Sequence, residues 1–177
     1  GLSLGYYQLL VRAEGLVGGT EGTTRIIVAP RQCYVPPSIE ASQRLWGLAL
    51  QLYSLSSDRN WGCGDFTDLG RIVEWAGQEL GAGVIGLNPL HALRNTTPYH
   101  ISPYAPSSRL YLNELYIDLE LLPEFHGSEE AQRQFRAPAF QATLQALRES
   151  RRVDYDAIAT AKRAMLELAY CEFLKEA

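Results

Sequence analysis

The chain has too few cysteines, too widely scattered, for a disulfide framework: Cys33, Cys63 and Cys171 are odd in number and far apart. None stands in a C-x-x-C pair or near histidines at zinc-site spacing, which excludes a zinc ribbon and a thioredoxin-type redox pair. They read as reduced thiols, the state expected of a cytoplasmic protein. An excess of positive charge is also lacking. With 16 Lys+Arg against 20 Asp+Glu, a net charge of -4 and a pI near 5.4, the chain has no cationic surplus for neutralising nucleic-acid phosphates. No run approaches the roughly twenty apolar residues a membrane span requires, and no basic stretch followed by an apolar one opens the chain. Neither nucleic acid nor membrane is an expected partner.

Several chemical constellations are missing as well. No serine stands in a G-x-S-x-G elbow, which excludes that class of serine hydrolase. His91, His100 and His126, with Asp118 or Glu120, match no ligand spacing, and no metal is expected. Gly62-Cys63-Gly64-Asp65 lacks the third glycine of a nucleotide loop and puts a carboxylate where phosphate would sit. It reads as a tight turn ending in a helix cap, and no cofactor is expected. Asp58, Asp65 and Asp68 are accounted for by capping and loop roles, so no acid and base pair can be named. Asn95-Thr96-Thr97 has the form of a glycosylation sequon, but the reduced-thiol compartment argues against its use.

What is present is an ordinary globular composition, 46% hydrophobic and 20% charged, with enough apolar residues for a real core. Gly5–Val11 and Thr24–Ala29 are β-branched and aromatic runs separated by the glycine-rich GLVGGTEGTT, which predicts a β-hairpin. Two strands bury too little to stand alone, so this module is expected to be the tail of a β domain that begins earlier. Pro30, Pro36 and Pro37 and the polar SIEASQ that follows predict a linker, with a boundary near Ser38.

From Trp46 to Tyr53, apolar Trp46, Leu48, Leu50 and Leu52 alternate with smaller or more polar residues, predicting a strand. Phe66, Leu69, Ile72, Val73, Ala76 and Leu80 recur at helical spacing, with Asp65 or Thr67 placed to cap the start and Gly81 to end it. Val84–Leu90 is a second apolar run of strand length, and strand, helix, strand predicts a parallel βαβ unit. His91–Pro123 reads as long irregular structure, with a short strand at Leu115–Leu119. Helices are expected at Glu129–Arg136, Ala139–Glu149 and Asp156–Lys175.

The loops after both strands interleave aromatic residues with hydrogen-bonding ones: Asn60 and Trp61 after the first, then Tyr99, Ser102, Tyr104 and Arg109. Ligands bind at the carboxyl ends of parallel strands, and flat rings beside polar groups suit sugars, which have apolar faces and hydroxylated rims. The same residues suit a secondary core beneath the loops equally well.

LQLYSLSSDRNWGCGDF (Leu50–Phe66), GLNPLHAL (Gly86–Leu93) and SPYAPSSRLYLNELYIDLE (Ser102–Glu120) together resemble the opening of the catalytic barrel of the amylomaltase, or 4-alpha-glucanotransferase, family. GYYQL and VAPRQCYVPP (Val28–Pro37) resemble the end of the β-rich N-terminal domain of its longer bacterial members, and VDYDAIATAKRAMLEL (Val153–Leu168) more loosely resembles its helical insertion. The resemblance implies an α/β fold: residues 1–37 end a β-rich domain, 38–127 begin a (β/α)8 barrel, and 128–177 are a helical insertion. It also implies retaining transfer of alpha-1,4-glucan segments between maltose, maltotriose and longer maltodextrins, by carboxylates on later strands and none in this segment. Alternatives are an alpha-amylase-like hydrolase and a non-catalytic glycan-binding module. Matched to the family's SPY motif, Tyr104 lines the donor-sugar site with Ser102 beside it; Asn60, Trp61, Asn88 and His91 are further contacts for which loop packing is an equally good account. A barrel needs about 250 residues, so the segment alone is expected to be inactive, with the rest of the chain or a second copy covering its open strand edge.

Overall fold

The computed structural model describes residues 1–13, 20–40, 44–97 and 99–176, in two compact units, Gly1–Arg44 and Leu45–Ala177. The first holds the expected hairpin. β1 (Gly5–Ala13) pairs antiparallel with β2 (Thr20–Val28), in a register that sets Gly5 against Val28 and Ala13 against Thr20. β2 begins earlier than the apolar run suggested. Most of the turn between them lies outside the described residues, as does Ala41–Gln43 of the expected linker, in which Pro37–Glu40 forms the one-turn helix α1.

In the second unit, β3 (Gly47–Leu50) and β4 (Val84–Leu87) pair in parallel, Gly47 against Val84 and Leu50 against Leu87, flanking α2 (Phe66–Gln78) in the chain. This is the expected βαβ unit. Leu48, Leu50, Ile85 and Leu87 are half-buried while the alternate positions are exposed, as the pleat dictates. Glycine at position 47 is a close-approach requirement, since a Cβ there would lie 1.9 Å from the Val84 carbonyl oxygen. β3 stops before the apolar alternation does. Leu52 Nα–H donates to Asn88 Oδ1 at 2.9 Å, and Leu52–Ser54 turn into a 3-10 helix with Leu52 fully buried.

α2 starts where the sequence placed it. Asp65 accepts from Thr67 and Asp68 backbone amides, both at 3.0 Å, and Asp68 accepts in return from the Asp65 amide at 3.3 Å, a complete capping box. Phe66, Leu69 and Ile72 are half-buried and Ala76 is fully so, whereas Val73 and Leu80 are exposed. Beyond the last turn, Gly81 adopts φ +67 and lets the Ala82 amide reach back to the Ala76 carbonyl.

The stretch after β4 is more ordered than expected. β5 (His91–Ala92) pairs antiparallel with β6 (Ser108–Leu112). The strand expected at Leu115–Leu119 is absent: Asn113 and Asp118 each cap a 3-10 turn, Glu114–Tyr116 and Leu119–Leu121, which diverts the backbone from extended geometry. Four helices follow, α3 (Pro123–Gly127), α4 (Glu129–Phe135), α5 (Pro138–Glu149) and α6 (Tyr155–Glu176); only α3 was not anticipated.

Two apolar clusters form the interior of this unit, and the loop after β3 enters both. Trp61 joins Leu119, Phe125, Ala131, Leu144 and Met165, while Cys63 joins Leu115, Leu147, Ile158 and Ala159. Gly62 between them has φ +98, and a Cβ there would lie 2.9 Å from Leu147 Cβ. The glycine turn therefore serves packing against α5. Burial pushes the Cys63 thiol up to about 11, so a thiol reagent at about pH 8 should label exposed Cys33 and Cys171 in the folded chain and reach Cys63 only after denaturant is added. Full labelling without denaturant would contradict this burial.

Candidate functional site

The carboxyl ends of β3 and β4 open into a groove of about 700 Å³, whose lining includes Leu50, Gln51, Ser54, Asn88, Pro89 and Tyr104. Each strand end delivers a polar group just beyond its apolar run. Asn88 is fixed from both ends of its amide, with Oδ1 accepting from the Leu52 amide at 2.9 Å and Nδ2 donating to the Pro89 carbonyl at 3.0 Å. It is 7% exposed, so it ties the two strand ends together and presents only an edge to the groove. Tyr104 is 73% exposed and brings a ring and a phenol from the excursion between β5 and β6. Ser102 lies on the same turn, its carbonyl accepting from the Ala105 amide at 3.1 Å, and is exposed outside the groove lining.

The remaining expected contacts lie outside the groove lining, and for Asn60 and Trp61 the structure favours the loop-packing account. Asn60 is 1% exposed; its Nδ2 donates to Asp68 Oδ2 at 2.8 Å and to the Leu55 carbonyl at 3.2 Å, and its Oδ1 accepts from the Gly62 amide. Trp61 is 3% exposed, stacked on Phe135 at 5.6 Å with Phe140 edge-on at 5.4 Å, and its indole N–H donates to Glu120 Oε1 at 2.9 Å. Both are interior residues with satisfied polar atoms and no face left for a sugar. His91 is half-buried in β5 opposite Leu112. Gln51 and Ser54 line the groove although neither was expected there from the sequence. Their signal was position, immediately after the apolar stretch of a parallel strand.

The loop after β3 is braced by charge. Arg59 binds Asp118 Oδ2 at 2.7 Å, pairs with Asp65, and lies 3.3 Å from Asp68, all three carboxylates being nearly buried. Burial pushes the Asp68 carboxyl up, but hydrogen bonds from Asn60, Ser57 and the Asp65 backbone, with the charge of Arg59, outweigh it and hold the group below the usual carboxylate range. Lys162 of α6 is fully buried and donates to the Leu115 and Ile117 carbonyls at 2.6 and 2.7 Å; burial lowers its pKa. These groups tie the loop after β3 and the turns after β6 to α2 and α6.

Among the described residues, no Asp, Glu or His lines the groove, whose chemistry is amide, hydroxyl and phenol around Leu50, Leu87 and Pro89. Such a lining suits a neutral, hydroxylated ligand and presents no carboxylate. Among the described residues, no group of three or more His, Cys, Asp or Glu is placed to hold a metal ion, and no helix is long and apolar enough to cross a membrane.

The family model of 4-alpha-glucanotransferase matches residues 50–177, which include both strand ends and the whole Tyr104 excursion. The chain belongs to the 4-alpha-glucanotransferase family. It is 40% identical over 166 residues to the 4-alpha-glucanotransferase of Haemophilus influenzae, covering 94% of this chain and 23% of that protein. With the 4-alpha-glucanotransferase of Mycobacterium bovis it shares 34% identity over 176 residues, covering 96% and 23%. Its fold is similar to the crystal structure of amylomaltase from Corynebacterium glutamicum, with a TM-score of 0.76, 28% identity, and coverage of 96% of this chain and 23% of that one. The chain thus spans about a quarter of the length of these 4-alpha-glucanotransferases and shares their mixed α/β architecture over that span.

Proposed function

We propose that this chain is the opening part of a glucanotransferase that moves alpha-1,4-glucan segments between maltose, maltotriose and longer maltodextrins in the cytoplasm, without a cofactor. In this reading β3 and β4 are the first strands of a (β/α)8 barrel within residues 38–127, residues 1–37 end a β-rich domain, and 128–177 are a helical insertion. The observation that carries it is the groove at the carboxyl ends of two parallel strands, lined by Asn88 and Tyr104, within the residues the family match covers.

The mechanism divides accordingly. Transfer with retention needs one carboxylate to attack the anomeric carbon and one carboxylic acid to protonate the departing oxygen, the acceptor glucan then replacing water in the return step. No Asp or Glu lines the groove among the described residues, and the family resemblance implies that both carboxylates stand on later strands. Tyr104 supports a donor sugar by offering a ring to its apolar face, with Ser102 on the same turn, while Asn88 and Gln51 offer amides to hydroxyls.

An alpha-amylase-like hydrolase would share the barrel and the carboxylates but pass the glucosyl group to water. Given maltopentaose, the protein at its relatives' length should redistribute chain lengths with almost no gain in reducing ends. A gain in step with cleavage would replace transfer by hydrolysis; binding without turnover would leave a glycan-binding module.

A further inference from the structure

The excursion that carries Tyr104 leaves β5 at Ala92 and returns at Ser108, and so short a strand is a weak base for it. Its foot is held by two asparagines. Asn95 Nδ2 donates to Asn113 Oδ1 at 3.0 Å while Asn113 Nδ2 donates to Asn95 Oδ1 at 2.9 Å, a reciprocal amide pair 0% and 3% exposed. The Leu115 amide adds a bond to Asn113 Oδ1 at 3.1 Å. Asn95 stands at φ +55, the only non-glycine residue in the left-handed region among those described, and Asn is one of the few side chains that region tolerates. Backbone bonds complete the closure. The Asn95 amide donates to the His100 carbonyl at 3.1 Å, and the Asn113 amide to the Leu90 carbonyl at 2.9 Å, two residues from Asn88 on the groove.

A buried amide pair of this kind is satisfied in one arrangement only. Sliding either strand of the loop would leave a buried N–H and a buried carbonyl unpartnered. We propose that the Asn95–Asn113 pair is the positioning device that sets Tyr104 over the groove, so that these two residues act on substrate through Tyr104 without touching it. The inference rests on the reading of Tyr104 as a sugar contact.

The test uses the protein at its relatives' length with maltotriose, comparing Tyr104→Ala, Asn95→Gly and the double variant. Glycine keeps the left-handed backbone at no steric cost and deletes only the amide. Tyr104→Ala and Asn95→Gly should each raise KM on the order of tenfold, the worth of a lost ring contact, with kcat little changed. The double variant should be no worse than Tyr104→Ala alone, because a positioning group has nothing left to position. Asn95→Asp adds a second signature: as an ionised carboxylate it cannot donate to Asn113, but once protonated it can. Its KM should recover toward wild type as pH falls, while that of Asn95→Gly should not. Wild-type KM in Asn95→Gly, or defects that multiply in the double variant, would overturn the positioning role and leave Tyr104 as a contact. Wild-type KM in Tyr104→Ala would overturn the sugar contact and the inference with it.

Discussion

Replacing Arg59 by Met should destabilise the fold by about 3–5 kcal/mol at neutral pH, the cost of leaving nearly buried charges without their partner. Asp65, Asp68 and Asp118 converge on this one guanidinium from the start of α2 and from the turn after β6. Methionine keeps much of the apolar stem, so the loss is electrostatic: three carboxylates lose the guanidinium that pairs them. The pH dependence gives the signature. In the native chain Asp68 is held below the usual carboxylate range, so its contribution is fully present above that range and is lost as pH falls through the lowered value. In Arg59→Met the Asp68 carboxylate loses the charge that helps hold it low, so the deficit against wild type should shrink as pH falls toward about 4. Urea unfolding at a series of pH values measures both effects. A deficit under about 1 kcal/mol, or one that does not change with pH, would mean the cluster is merely a solvated surface network.

Trp61→Ala should cost about 3–5 kcal/mol by emptying the centre of a packed aromatic cluster. The ring is stacked on Phe135 with Phe125 and Phe140 at its edges, and its removal also leaves Glu120 Oε1 without its indole donor. This substitution separates two accounts of one residue. As a core residue, Trp61 governs the urea midpoint. As a sugar platform it would govern KM for maltotriose and leave stability alone. Native stability with weakened use of maltotriose would make Trp61 a sugar contact instead of a core residue.

Elements specified by local chemistry were legible in the sequence. Asp65, one of the two caps the sequence offered, starts α2, the helices expected from Glu129 and Ala139 begin at Glu129 and Pro138, and the alternation around Leu48 and Leu50 identifies β3. What escaped depends on distant partners. β3 was expected to run to Tyr53, but Leu52 is claimed by Asn88, 36 residues later, and no local pattern records that bond. Leu115–Leu119 has strand composition, yet Asn113 and Asp118 accept bonds from backbone amides two residues on and close the chain into turns. β5 and β6 are too short and irregular for a period to show.

The site divides along the same line. Tyr104 and Asn88 line the groove, and the strand ends and SPY motif that point to them are local features. Asn60 and Trp61 have the right chemistry in the right loop, but residue type does not give direction. Phe125, Phe135 and Phe140 draw the indole inward, and Asp68 holds the Asn60 amide. Arg148 adds to this by donating to the Asn60 and Arg59 carbonyls from α5. The Asn95–Asn113 pair left no sequence signal beyond two asparagines 18 residues apart.

The most direct test of the central claim incubates maltotriose with the protein at its relatives' length and, in parallel, with this 177-residue chain, resolving the products by size. The account predicts glucose together with a ladder of longer glucans from the first and no product from the second. No ladder from the longer protein, or a ladder from the 177-residue chain alone, would contradict it.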